Sequence, residues 1–320
     1  MPIAGPGALF VIGGAEDKLR RRTVLRSFVE SAGGKDARIV VVPTASSLGP
    51  EIVDVYDAVF TRLGAASVAG CRPEGRHDAG DPAYVDLLRE ATGIFMTGGN
   101  QLKLSAVMAG TPFGEAIIQA HHDGVTIGGT SAGASIQSSH MVAFGAGGAT
   151  PKQRMTQVAA GLGLVHGAVI DQHFDQRNRY GRLLMIVSES PQLLGIGVDE
   201  DTAAVITRTG DGIDQLEVIG RGSVTVFDPA RMVSNAYEAR RSQPLLASGV
   251  VLHMLPAGSR FDLTRRTLMP VDSVVDPEEA DELATASRDL RKLARDIAAG
   301  DISPTQLRRR VARRAKGAAR

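Results

Sequence analysis

The chain has one cysteine, no tryptophan and few aromatic residues, which make up 4% of its 320 positions. A single thiol, Cys71, closes no internal disulfide, and no Cys/His set has the spacing of a zinc site. No apolar run is long enough to span a bilayer. The opening MPIAGPGALFVIGG has neither the basic stretch nor the apolar length of a signal peptide. Together these absences predict a soluble cytoplasmic protein. Net charge is nearly absent too, at +1, but its distribution is uneven. Residues 277–320 hold 11 Lys/Arg and 7 Asp/Glu, a net of +4, whereas residues 1–276 hold 25 basic and 28 acidic residues, a net of −3. The chain therefore divides into a mildly acidic body, 1–276, and a basic extension, 277–320.

Glycine is abundant, with 37 residues, and clusters where apolar runs end. Residues 8–12, 38–42, 67–71, 93–97 and 125–127 read as buried strands, rich in Val and Ile. Amphipathic stretches at 19–32, 50–63, 82–91 and 101–122 lie between them. Such alternation predicts βαβ units and a mostly parallel sheet with helices on both faces. Polar clusters follow the strand ends at 13–17, 43–46 and 97–101, so one crevice at the carboxyl edge of the sheet should gather them. From residue 203 onward, short alternating runs at 203–207, 215–219, 223–227 and 250–255 read as antiparallel strands finishing or flanking the sheet. In the extension, Leu283, Ala286, Leu290, Leu293 and Ile297 keep a helical spacing; Gly300 ends that helix and Ser303-Pro304 starts another. The run Arg308-Arg309-Arg310-Val311-Ala312-Arg313-Arg314 suits either a solvated terminus or a polyanion such as nucleic acid.

The strongest local signal is Gly129-Thr130-Ser131-Ala132-Gly133, which follows an apolar strand and opens a helix. A serine on that sharp corner projects its hydroxyl clear of the sheet, and the Ala132 amide at the helix start points to where an oxyanion would form. Such a nucleophile needs a base. His77, His121, His122, His140, His166 and His253 read as solvated, helix-end, loop-bordering or strand residues. His173 differs, because an apolar strand gives way there to Asp171-Gln172-His173-Phe174-Asp175-Gln176-Arg177-Asn178-Arg179-Tyr180-Gly181-Arg182. That density of polar groups disfavours packing unless it faces a polar cleft. The acids Asp199-Glu200-Asp201 follow another apolar run, and either Asp199 or Glu200 is placed to orient the imidazole. Arg177, Arg179 and Arg182 suit a carboxylate-bearing ligand, through the fork geometry of guanidinium. A dinucleotide site is a poor fit, since Gly13-Gly14-Ala15 lacks spaced glycines.

Taken in order, Ile12-Gly13-Gly14-Ala15-Glu16-Asp17-Lys18, Met96-Thr97-Gly98-Gly99-Asn100-Gln101, Gly128-Gly129-Thr130-Ser131-Ala132-Gly133-Ala134, Asp171-Gln172-His173-Phe174 with Arg177, Arg179 and Arg182, and Gly197-Val198-Asp199-Glu200-Asp201-Thr202-Ala203 resemble the cyanophycinases. These serine exopeptidases degrade multi-L-arginyl-poly-L-aspartate to β-Asp-Arg dipeptides. The resemblance covers roughly residues 8–270. It implies a class I glutamine-amidotransferase-like, flavodoxin-like α/β fold and a triad of Ser131, His173 and Glu200. It also implies Gly98, Gly99 and Ala132 as oxyanion donors, a substrate-binding set of Gln101, Asp171, Gln172, Arg177, Arg179 and Arg182, and a homodimer. Asp171 is the acid expected to receive a substrate guanidinium. No metal or cofactor is implied. Two other readings share these residues: an aspartyl dipeptidase or isoaspartyl peptidase on the same fold, and a non-catalytic polymer-binding protein that uses the basic extension.

Overall fold

Apolar runs of four or five residues that alternate with amphipathic helices are most stable in a sheet covered on both faces. Five such runs pair in parallel: β1 (Leu9–Ile12), β2 (Arg38–Val42), β3 (Ser67–Gly70), β4 (Gly93–Met96) and β5 (Thr126–Thr130), ordered β3-β2-β4-β5-β1. The helices between them are α1 (Thr23–Ser31), α2 (Glu51–Arg62), α3 (Pro82–Arg89), α4 (Gln101–Met108) and α5 (Pro112–His122). This computed structural model describes residues 5–49, 51–209 and 212–270, and the compact body ends at Pro270. The basic extension, with its two expected helices and its arginine run, lies outside the described residues.

After β5 the chain forms the short α6 (Ala132–Ser135) and a hairpin of β6 (His140–Gly145) and β7 (Thr156–Ala160). It continues through β8 (Ala168–Gln172), α7 (Tyr180–Glu189), β9 (Leu194–Val198), β10 (Thr202–Arg208), β11 (Asp214–Gly220) and β12 (Ser223–Asp228). The remaining strands are β13 (Val233–Ser234), β14 (Ala247–Ser248), β15 (Val251–Pro256), β16 (Arg260–Asp262) and β17 (Thr267–Leu268). β10, β11, β16 and β17 extend the parallel strands beyond β1 in antiparallel fashion, making nine in all. β8, β9, β12 and β15 form a second sheet of four strands. The late strands therefore serve two sheets, a division that the alternation pattern alone does not reveal. Only three residues, Asp199, Glu200 and Asp201, separate β9 in the second sheet from β10 in the first.

Period-two alternation sorts the core. Phe10, Ile12, Ile39, Val41 and Phe95 face α1 and α2, where they meet Phe28, Tyr56 and Phe60. Their neighbours Leu9, Val11, Val40, Val42, Ile94 and Met96 face α3, α4, α5 and the second sheet. Two expected helices are shorter than their patterns. The stretch 101–122 breaks at Gly110, whose φ is 64°, and Thr111 then caps α5 by accepting the Gly114 amide. The stretch 19–32 becomes helical only at Thr23, because the Asp17 carboxylate gathers the amides of Leu19, Arg20 and Arg22 into a loop. Among the described residues, no helix is long and apolar enough to cross a membrane.

The aromatic cluster reaches the strand that carries the elbow. A Cβ added at Gly128 would lie 2.7 Å from Cε2 of Phe28 and 2.9 Å from Cδ2 of Phe95. Those rings pack with centroids 5.2 Å apart, so neither gives way freely. Gly128→Ala is expected to lower stability by about 1–3 kcal/mol. Urea unfolding should show a lower midpoint with an unchanged slope.

Candidate active site

β5 delivers the nucleophile. Ser131, immediately after Thr130, has φ 52° and ψ −107°, a region that L side chains seldom occupy and that costs about 1–3 kcal/mol. The surroundings hold it there: the Ser131 amide donates to Ile12 O at 3.0 Å, and α6 starts at the next residue. Both motif glycines are dictated by close approach, since a Cβ at Gly129 would lie 2.0 Å from Gly133 O and one at Gly133 would lie 2.2 Å from Met96 O.

A buried carboxylate braces the corner from beneath. Glu16, only 4% exposed, accepts from Thr130 Oγ1 at 2.5 Å, Tyr56 Oη at 2.6 Å and Lys18 Nζ at 2.7 Å. Burial pushes its pKa up, but the Lys18 charge and the three donors outweigh burial and hold it below the usual value. In the sequence Glu16 belongs to the polar cluster 13–17, where nothing marks it for this role. It is the first of two adjacent acids, four residues past the end of an apolar strand, which spacing cannot distinguish from a solvated turn.

The base comes from the second sheet. His173 follows β8 with φ 48°, and its amide donates to Gly13 O at 2.8 Å. Its ring rests against bare backbone at Gly14, where a Cβ would lie 2.2 Å from Cε1. Nε2 is 2.9 Å from Ser131 Oγ, and Nδ1 is 2.6 Å from Glu200 Oε1. Of the two acids left open by the residues, Glu200 reaches the ring. Asp199 instead accepts the Ser223 amide at 3.0 Å, the Ser223 hydroxyl at 2.8 Å and the Asp175 amide at 3.1 Å. Burial pushes the His173 pKa down, Arg177 and Arg179 push the same way, and the Glu200 bond offsets only part of this. The ring is thus neutral at neutral pH, with Nδ1–H donating to Glu200 and Nε2 able to take the serine proton.

The β4–α4 turn approaches the nucleophile at Gly98. A Cβ at Gly98 would lie 3.3 Å from Ser131 Cβ, and Asn100 N donates to Ala45 O at 2.8 Å, which ties the turn to the 43–46 cluster. The Gly98 and Gly99 amides donate to no protein acceptor among the described residues, and the Ala132 amide opens α6 without an intrahelical partner. Three of the expected polar segments therefore meet the elbow.

The expected substrate-binding residues separate into two groups. Gln101 opens α4 and donates through Nε2 to Val142 O at 2.9 Å. Arg177 is exposed. Asp171 is fully buried and accepts Arg182 Nε at 2.6 Å, Arg182 Nη2, and Arg179 Nη1 at 3.2 Å. Gln172 accepts from Arg179 Nη1 through its backbone and side-chain carbonyls. This differs from the expectation that Asp171 receives a substrate guanidinium, because the chain's own guanidiniums already hold both of its oxygens. Arg179 makes all these contacts through Nη1, and among the described residues none through Nε or Nη2. Burial and the neighbouring Arg182 and Arg177 charges, against the pull of Asp171, bring its pKa down to about 10. No group of three or more His, Cys, Asp or Glu among the described residues is arranged to hold a metal ion.

The model of peptidase family S51 matches residues 9–215. The chain is 41% identical over 271 residues to a cyanophycinase of Nostoc sp., an alignment covering 84% of this chain and 90% of that protein. It is 40% identical to a cyanophycinase of Geminocystis herdmanii, with 84% and 97% covered. Among solved structures, a peptidase from an acI-B1 Actinobacterium superposes with a TM-score of 0.57 at 23% identity, over 82% of this chain and all of that one.

A fluorophosphonate that labels active serines reads the Ser131–His173–Glu200 line without reference to substrate. Labelling of Ser131 should rise with pH through a midpoint below 6.5, because the imidazole must lose its proton to act. Arg177→Gln removes a cation beside the ring and should raise that midpoint. Glu200→Gln, which misorients the imidazole, should slow labelling by up to about 10⁴-fold.

Proposed function

The chain belongs to peptidase family S51, and from that premise we propose that it is a cyanophycinase, a serine exopeptidase that hydrolyses multi-L-arginyl-poly-L-aspartate to β-Asp-Arg dipeptides. The observation that carries this reading is the unbroken line from Ser131 Oγ to His173 Nε2, 2.9 Å, and from Nδ1 to Glu200 Oε1, 2.6 Å. A merely polymer-binding protein has no need of that line. Supporting a class I glutamine-amidotransferase-like fold are the parallel strand order β3-β2-β4-β5-β1 and the elbow at the end of β5.

In this mechanism, Ser131 Oγ attacks the backbone carbonyl that joins successive aspartyl units, while His173 Nε2 takes the hydroxyl proton. Glu200 stabilises the resulting imidazolium through Nδ1–H. The amides of Ala132, Gly98 and Gly99 receive the oxyanion, and loss of one such donor typically lowers the rate about a hundred- to a thousand-fold. The imidazolium returns its proton to the leaving aspartyl amine as the C–N bond breaks. Water, deprotonated by the same imidazole, then attacks the acyl-enzyme, and Ser131 leaves with the proton. Arg179 is suited to a substrate carboxylate, because Asp171 and Gln172 fix Nη1 while its Nε and Nη2 meet no acceptor among the described residues. Arg182 acts through Asp171 and holds that bracket in place.

Incubation with insoluble cyanophycin tests the reading directly. Wild-type protein should clear the suspension and release β-Asp-Arg, identified by mass, whereas Ser131→Ala should release none. Equal release by both proteins would dismiss serine catalysis. The proposal includes a homodimer, supported by the exposed apolar residues Val251, Leu252 and Met254 on the edge strand β15. Sedimentation velocity should return about twice the 33.6 kDa chain mass.

A further inference from the structure

The nine phenylalanines of the chain are distributed unequally. Eight are buried, at 6% exposure or less, and the ninth, Phe144, is 54% exposed. Its position results from a specific backbone device. β6 and β7 pair Val142 with Val158 and then Phe144 with Gln157, which leaves Ala143 as an extra residue. In a regular strand Phe144 would share a face with Val142, which is wholly buried. The inserted residue reverses that alternation and turns the ring outward.

The bulge is pinned on both sides by residues of the active site. Val142 O accepts Gln101 Nε2 at 2.9 Å, and Gly145 O accepts Arg182 Nη1 at 3.0 Å. Phe144 O itself accepts Thr156 Oγ1 at 2.7 Å. Gln101 lies three residues beyond Gly98, on the oxyanion side. Arg182 grips Asp171, two residues before His173, on the side of the base. Phe144 thus stands on a strand held by Gln101 on one side of it and by Arg182 on the other. An exposed phenylalanine ring there forgoes apolar burial unless a ligand covers it.

On the cyanophycinase reading, each substrate unit brings one guanidinium, and the acid expected to receive it, Asp171, is already held by Arg182 and Arg179. A delocalised, weakly hydrated cation is the group that an aromatic face attracts best. We propose that Phe144 is a specificity-determining residue whose ring stacks against an arginyl guanidinium of the substrate. The contact would favour arginyl over neutral side chains of the same shape and leave the chemistry at Ser131 untouched.

The test compares β-Asp-Arg oligomers with matched β-Asp-citrulline oligomers, in which the guanidinium is replaced by a neutral urea. Phe144→Leu keeps apolar bulk and removes the π face. For the arginyl oligomer its KM should rise about 2- to 30-fold with kcat nearly unchanged, while the citrullinyl KM should barely move. Phe144→Tyr should retain the wild-type preference. An unchanged arginyl-to-citrullinyl ratio in Phe144→Leu would overturn the inference while leaving the proposed function standing. A change of oligomeric state in Phe144→Leu, seen by gel filtration, would overturn it as well, by placing the ring in an interface between copies. No hydrolysis of either oligomer by wild-type protein would remove the proposed function and this inference with it.

Discussion

The site depends on a close approach at Gly13-Gly14, where three parts of the chain meet. The Gly13 carbonyl receives the His173 amide at 2.8 Å, the Gly14 carbonyl receives the Asp201 amide at 2.9 Å, and the imidazole lies against Gly14 itself. Both glycines directly follow β1, the strand beside β5 in the first sheet. β1 therefore sits next to the nucleophile in one direction and carries the ring in the other. A side chain at Gly14 would occupy the space of the ring. The strand also ends on the residues that lead to Glu16, which braces Thr130. Base and nucleophile thus share one foundation four residues long.

The interior beside the cleft is unusually polar. Asp171, Arg179, Arg182 and Gln172 are all at 8% exposure or less, and Glu16 is buried on the other side. Buried charges of this kind persist only when paired and hydrogen-bonded, and removing one partner leaves the others uncompensated. Their arrangement fixes guanidinium directions that flexible surface arginines would not keep. Arg182 also ties this cluster to β6 through Gly145 O, so the hairpin is part of the same network.

Much of this was legible in the residues. The five parallel strands and the elbow follow from apolar runs that end in glycine, signals that are local and strong. His173 stood out because a strand ran straight into a dense polar segment. What stayed hidden depends on contacts between distant segments. The assignment of late strands to two sheets rests on the partners of β9 and β12, and no periodicity encodes a partner. Asp199 and Glu200 are adjacent acids of similar chemistry, and only the backbone course past Val198 decides which one meets the ring. Asp171 and its arginines show the same limit. Their composition announced a charged site but not that the charges would satisfy one another. The bulge at Ala143 was equally invisible, since a register shift belongs to a pair of strands rather than to either one.

The link from Val198 to Thr202 distributes three consecutive acids to three different neighbours. Asp199 turns back to Ser223, Glu200 turns to His173, and Asp201 accepts the Asp17 amide at 2.8 Å. Negative charge is in surplus there, so the quantity under constraint is the count of residues. Lengthening or shortening the link by a single residue would keep every charge and yet rotate each acid onto a neighbour's station. The tolerances of this junction are those of a ruler, set by chain length between two sheets and not by which acid occupies each place.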